Sequence, residues 1–124
     1  MPKLPVPTEA QEGEVLVAYL RVRGLKFTHI PNETGGSPEA FRRAVRMKRQ
    51  GVSRGFPDYI IIINNKIVFI ELKRQRGSTT SPEQIDWLSS LRVTGAIATV
   101  CKGTQEAIDL LESLYVPDKP ESSF

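Results

Sequence analysis

Asp58, Glu71 and Lys73 are the residues whose types and spacing could do chemistry. Asp58 follows a proline, and Glu71 and Lys73 stand one residue apart at the end of an apolar run. The segments Asp58 to Ile63 and Ile67 to Lys73 are short, β-branched and apolar, which predicts two strands. Asn64-Asn65 between them suits a tight turn, because asparagine tolerates positive φ. With a two-residue turn, Ile63 faces Lys66, Ile62 faces Ile67, Ile60 faces Phe69 and Asp58 faces Glu71. Directly opposed residues share a face of a sheet, and Lys73, two residues on, joins them. A three-residue turn would instead put Leu72 opposite Asp58.

Two acids in that position need an offset. At ~4 Å and an effective dielectric near 20, two like charges repel by ~4 kcal/mol. Lys73 supplies part of the offset, and a divalent cation would supply the rest. Hard oxygen donors favour Mg²⁺ or Mn²⁺, which can polarise a phosphate and activate water. Lys73 would then orient or deprotonate that water, or stabilise charge on the phosphate. The bland alternative is a strand that happens to begin at Asp58 and a same-face Glu71–Lys73 ion pair. Charged groups at the ends of otherwise apolar central strands argue against it, because burying them unpaired is costly.

The elements around this hairpin follow from caps and periodicity. Thr8 with Gln11 forms a capping-box pattern for a first helix, whose apolar face is Val15, Leu16, Tyr19 and Leu20 and which Gly24 ends. Leu25 to Ile30 reads as a strand and Pro31 to Ser37 as a loop. Ser37-Pro38 opens a second helix, with Phe41, Ala44 and Val45 toward the core and Gly51 as its stop. Arg42, Arg46 and Arg49 form a basic stripe along it. Ser81-Pro82-Glu83-Gln84 starts a third helix buried through Ile85, Leu88 and Leu91, with Trp87 packed against it and Gly95 at its end. Ala96 to Cys101 is a further strand. Thr104 caps a last helix packed through Ala107, Ile108, Leu111 and Leu114. The strands of the hairpin look apolar on both faces and so are expected to be covered on both sides. The order is helix, strand, helix, hairpin, helix, strand, helix, an α/β fold.

The 124 residues suit a single domain, with a core over about 8–115, an N-terminal arm over 1–7 and a flexible tail over 117–124. A hydrophobic share of 40% is too high for disorder. No apolar run reaches the ~20 residues of a membrane span, and no signal peptide is visible at the start. A lone cysteine, Cys101, reads as a buried inert thiol and suits a reducing cytoplasm. Net charge is +3, with a pI near 9.2. Its distribution is more informative: between Ala40 and Pro57 lie six basic residues and no acid. Arg42, Arg46, Arg49 and Arg54, with the later Arg74 and Arg76, could present one face to a nucleic-acid backbone.

Gly55-Phe56-Pro57-Asp58 followed by Ile70-Glu71-Leu72-Lys73-Arg74 resembles the PD-(D/E)xK nuclease signature. More narrowly, the chain resembles the virus-type replication-repair nuclease (VRR-NUC) family. Thr8-Glu9, Pro31-Asn32-Glu33, the run Lys48 to Asp58 and the run Ser81 to Leu91 complete the match, which extends from about Thr8 to Leu114. The resemblance implies a restriction-endonuclease-like core, a central mixed sheet flanked by helices. It implies a Mg²⁺- or Mn²⁺-dependent endonuclease acting on branched DNA such as Holliday junctions. It also implies a homodimer working in the cytoplasm of a bacterial or phage-infected cell. By the motif, Asp58 and Glu71 bind metal, the Leu72 carbonyl is a further ligand and Lys73 assists the water. A first-helix glutamate belongs to the family's site: Glu9 fits that position, Glu12 shares its helical face, and Glu14 points away. The family's glutamate lies near the metal, so the resemblance puts Glu9 in the catalytic and metal site ahead of its alternative as a helix-dipole acid. Gln84 matches a family glutamine, and reciprocal capping with Ser81 is its structural alternative. Asn32 would approach the phosphate or bond to nearby backbone. His29 reads as structural.

Three further readings share these residues. A restriction-like nuclease would need base contacts, for which the chain has little room. A catalytically silent nucleic-acid-binding module would keep the basic stripe without chemistry. A protein-interaction domain would bind DNA weakly and without salt dependence.

Overall fold

The computed structural model describes residues 4–31 and 36–117. Its elements are α1 (Glu9–Val22), β1 (Lys26–His29), α2 (Pro38–Arg49), β2 (Tyr59–Ile63), β3 (Lys66–Lys73), α3 (Pro82–Val93), β4 (Ile97–Lys102) and α4 (Thr104–Leu114). The four strands form one mixed sheet in the order β1-β2-β3-β4. β1, β2 and β3 run antiparallel as a meander, and β4 returns parallel to β3 after the α3 crossover. Met1 to Lys3, the Asn32-Glu33 segment and the tail from Asp118 lie outside the described residues.

The β2–β3 register depends on the turn. Asn64 and Asn65 both have positive φ, 48° and 63°. Two such residues in succession make the tight turn whose twist suits a two-residue hairpin. Ile63 accordingly pairs with Lys66, Ile62 with Ile67, Ile60 with Phe69 and Tyr59 with Ile70. One step further along the same register lie Asp58 and Glu71.

Alternation then sorts the sheet into two faces. Tyr59, Ile61, Ile63, Val68, Ile70, Leu72 and Cys101 point into the main core with Leu16 and Leu20 of α1 and Ala107 and Leu111 of α4. The other face meets α3 over β4, where Leu88 and Ala98 are buried. Phe56 closes this layer with edge-on contacts to Phe69 and Trp87, at centroid separations of 5.8 and 5.0 Å. Trp87 is thus helix packing, as its position implied.

Caps set the helix starts. Thr8 and Gln11 form the expected box around the start of α1, and Ser81 and Gln84 do the same for α3. Ser37 accepts from the Ala40 N–H to open α2. Gly24, Gly51 and Gly95 follow the helix ends with positive φ.

Several expected core positions are corrected. α2 has no buried residue: Phe41 is 69% exposed, Val45 37%, and Ala44 is also exposed. Its apolar spacing is real, but no sheet face lies beneath it. Val15 and Ile85 are exposed as well, because α1 turns Glu12, Gly13, Leu16 and Leu20 inward and α3 buries only Leu88 fully. Part of the α3-side face stays open, leaving the cross-strand pair Ile62 and Ile67 exposed. The hairpin is therefore covered on both sides only toward β4.

α4 also begins differently from the expectation. Its N-cap is Gly103, with φ 87° and no side-chain hydrogen bond, and Thr104 is the first helical residue. The cap comes from a distant element. The buried Glu12 carboxylate of α1 accepts the Thr104 N–H at 3.0 Å, and the Thr104 hydroxyl donates back to the Glu12 carbonyl. A carboxylate at a helix N-terminus satisfies an orphan donor and meets the positive end of the helix dipole. A Cβ on Gly103 would lie 2.7 Å from the Glu12 carboxylate, so glycine leaves room for this contact. On the surface, Arg23 clasps Glu112 and lies over the Tyr115 ring, tying the far ends of α1 and α4.

Glu12→Ala should therefore destabilise the protein by about 1–3 kcal/mol, as expected for a lost cap and an orphaned buried donor. Urea denaturation of the variant beside Glu12→Gln, which retains an acceptor, checks this.

Candidate active site

The open end of the β2–β3 hairpin brings the sequence-derived trio together. Asp58, at the start of β2, is 6% exposed, and Glu71, near the end of β3, is 2% exposed. The Leu72 N–H donates to Asp58 Oδ2 at 2.9 Å, which fixes that carboxylate against β3. Lys73 Nζ lies 3.5 Å from Glu71 Oε2. Gln84 Nε2 donates to the same oxygen at 3.1 Å. Meanwhile Gln84 Oε1 accepts the Ser81 N–H at 2.9 Å. Gln84 thus closes the capping box with Ser81 and presents its amide group to Glu71.

Two helix starts converge on this end of the sheet. α3 brings Gln84 in its first turn, and α1 brings Glu9 in its own. The α3 approach needs Gly55, whose φ is +86° and whose added Cβ would come within 2.7 Å of the Glu83 and Gln84 backbone. The α1 approach needs Gly13, where a Cβ would lie 2.7 Å from the Tyr59 hydroxyl oxygen. Glu9 lines the cavity with Asp58, Glu71, Lys73 and Gln84. Glu12 does not line it, because its carboxylate is spent on α4. That separates the two first-helix glutamates by position.

The electrostatics are those of crowded acids. Burial, then the neighbouring Asp58 charge, pushes Glu71 from its ordinary 4.5 up to about 8. Burial also raises Asp58, against the lowering effect of the Leu72 N–H. Glu9 is raised by burial and then by Asp58. Cys101, outside the site, is pushed up to about 12 by burial, which keeps its thiol inert. Glu71 Oε1 is buried and has no hydrogen-bond partner. An unpartnered carboxylate oxygen beside a second carboxylate is a donor set that fits a hard divalent cation. Among the described residues no three His, Cys, Asp or Glu side chains stand close enough to form a ligand set by themselves. Asp58 and Glu71 are the residues that would hold such a cation.

The cavity extends past the trio, to a volume of about 870 Å³. It continues along α1 to Arg21 and along β1 to His29 and Pro31. His29 is therefore part of the site wall and not a buried structural residue. Glu14, expected to point away, lines the wall too. Sequence reasoning missed His29 because its place next to Asp58 depends on the β1–β2 pairing, which puts it opposite Tyr59. Arg42, Arg46, Arg49, Arg54, Arg74 and Arg76 are all exposed, but none lines the cavity. Asn32 lies outside the described residues.

The VRR-NUC domain model matches residues 11–105. The chain belongs to the VRR-NUC family. A solved VRR-NUC domain protein is similar over 90% of each chain, with 25% identity and a TM-score of 0.73. A second solved VRR-NUC domain covers 88% of this chain and 100% of its own, with 19% identity and a TM-score of 0.63. No functionally curated protein shows a significant match. This VRR-NUC chain has the restriction-endonuclease-like fold, a mixed sheet flanked by helices, and is a nuclease domain for which DNA is the implied substrate. Among the described residues no helix is long and apolar enough to cross a membrane.

Between its ordinary 4.5 and about 8, Glu71 holds a proton in the folded chain that it has lost in the unfolded one. Stability of the metal-free protein should thus fall as pH rises through this window and level off above it. Glu71→Gln removes the titration. It should flatten the profile and raise Tm at pH 8 by several degrees, measured by thermal melts in EDTA.

Proposed function

We propose that this VRR-NUC domain is a Mg²⁺- or Mn²⁺-dependent endonuclease that hydrolyses DNA phosphodiester bonds, selectively at branched structures such as Holliday junctions, and works as a homodimer. The observation that carries the metal reading is the buried, unpartnered Glu71 Oε1 beside Asp58, with Lys73 next to the pair. Asp58 and Glu71 would hold the cation, joined by the Leu72 carbonyl as the family motif implies. When bound, the cation polarises the phosphate and makes water more acidic. Gln84 keeps Glu71 oriented. Lys73 brings positive charge to the scissile phosphate and orients the attacking water. Glu9, on the cavity wall, would be the first-helix glutamate beside the cation.

The substrate reading rests on the exposed basic surface. Arg42, Arg46 and Arg49 fall on one side of α2 and border the exposed Phe41 and Val45. A twelve-residue helix is marginal without packing. Both DNA and a second copy would give it a partner. The homodimer reading is supported by these apolar residues and by the exposed Ile62–Ile67 pair. Two sites related by a twofold axis would cut two strands symmetrically, which suits a junction.

The decisive measurement is cleavage of a four-way junction and a matched linear duplex in Mg²⁺, Mn²⁺ or EDTA. The expected result is metal-dependent junction cutting that falls at least about 10³-fold in Glu71→Ala and Asp58→Ala. Equal cutting of both substrates would remove structure selectivity, and binding without cutting under any metal would leave a silent binding module. The basic stripe has a separate test. Each phosphate contact contributes ~0.9 to the slope of log affinity against log salt, so replacing Arg42, Arg46 and Arg49 together by alanine should lower that slope by about 2–3.

A further inference from the structure

The cavity is larger than a phosphate and its metal need, and the part beyond them has its own character. β1 is an edge strand, bonded only to β2. The wall between β1 and α1 is therefore open to a ligand. At its centre the His29 ring stacks on Tyr59, with centroids 4.7 Å apart and planes inclined by 26°. Tyr59 is buried, whereas His29 is exposed. The imidazole is a flat aromatic platform backed by a second ring. The same cavity is lined from α1 by Ala10, Val17 and Ala18, small or apolar side chains, while Gly13 is closed against the Tyr59 hydroxyl. Polar groups line it too: Glu14 and Arg21 from α1.

From this arrangement we infer that the slot between α1 and β1 lodges one unpaired nucleotide next to the scissile phosphate, its base stacked on His29. The inference rests on the nuclease reading of the Asp58–Glu71–Lys73 end. Position supports it, because His29 pairs with Tyr59, the neighbour of Asp58, and the Ile30 N–H donates to the Asp58 carbonyl. A base lying on His29 would be one nucleotide from a phosphate at Asp58. Aromatic side chains, histidine included, accept any base through its π-face. Glu14 can accept from an exocyclic amino group of adenine, cytosine or guanine, and Arg21 can donate to the flanking phosphate. The Glu14 carboxylate also disfavours a run of phosphates along the slot. One base with its backbone turned outward fits this charge pattern better than continuous duplex. The consequence is a preference for DNA with an unpaired nucleotide at the cut, as at a flap or an opened junction arm.

The test uses a duplex bearing a short unpaired arm, with 2-aminopurine as the first unpaired base, and a fully paired duplex with the same label. Binding is followed in Mg²⁺ by fluorescence quenching and anisotropy, in the Glu71→Gln background so that strands stay intact. His29→Ala and His29→Phe are compared. The expected result is quenching on the armed duplex only. It is kept in His29→Phe and lost in His29→Ala, with about 10-fold weaker binding of the armed duplex and little change for the paired one. Unchanged quenching and affinity in His29→Ala would overturn the inference. So would a His29→Phe variant that behaves like His29→Ala, because stacking would then not be the contact. Cleavage with Glu71 intact separates the two readings. Cutting that is indifferent to His29→Ala removes the slot and leaves the nuclease, whereas His29-dependent quenching without cutting keeps the slot and removes the nuclease.

Discussion

When both are ionised, Asp58 and Glu71 repel each other, and most of what is specific about this protein serves to hold them together regardless. Each is buried, and burial strengthens the repulsion by lowering the dielectric around the pair. The chain answers with fixed partners: the Leu72 N–H on Asp58, the Gln84 amide and Lys73 ammonium on Glu71. These contacts leave one oxygen of Glu71 without a partner. Each partner requires its own support. Gln84 arrives because Ser81 caps α3 and Gly55 allows the loop before Asp58 to pass under that helix. Lys73 arrives because strand alternation puts it on the same side as Glu71.

α1 links this centre to the rest of the molecule. It carries Glu9 at the cavity wall and, one turn later, Glu12 as the cap of α4. The same helix covers the core through Leu16 and Leu20. Its height over the sheet is set at Gly13, where the Tyr59 hydroxyl takes the space of a side chain. Packing, capping and the shape of the cavity are thus properties of one helix and shift together.

Much of this was legible in the chain. The hairpin register followed from Asn64-Asn65 and the two-residue period of strands, and it led directly to the opposed carboxylates. The capping boxes at Thr8 and Ser81 were visible as local patterns because both partners lie within four residues. What escaped were relations between distant segments. The cap of α4 by Glu12 spans 92 residues and leaves no local signature. His29 joins the site only through the β1–β2 pairing. The face of α2 was misassigned for a related reason: apolar spacing shows that a helix has a face, and cannot say whether a core or another molecule meets it.

The turn at Asn64-Asn65 lies six residues from Glu71, roughly 20 Å along an extended strand. It does not line the cavity. Nevertheless, adding or deleting one codon there would move every side chain of β3 relative to β2 by one place. Either the strand would bulge to keep the core, or Leu72 or Ile70 would take the place of Glu71 opposite Asp58. The length of the tip, together with its two positive-φ asparagines, decides which residue faces Asp58, and the reading frame of the active centre is counted from that tip.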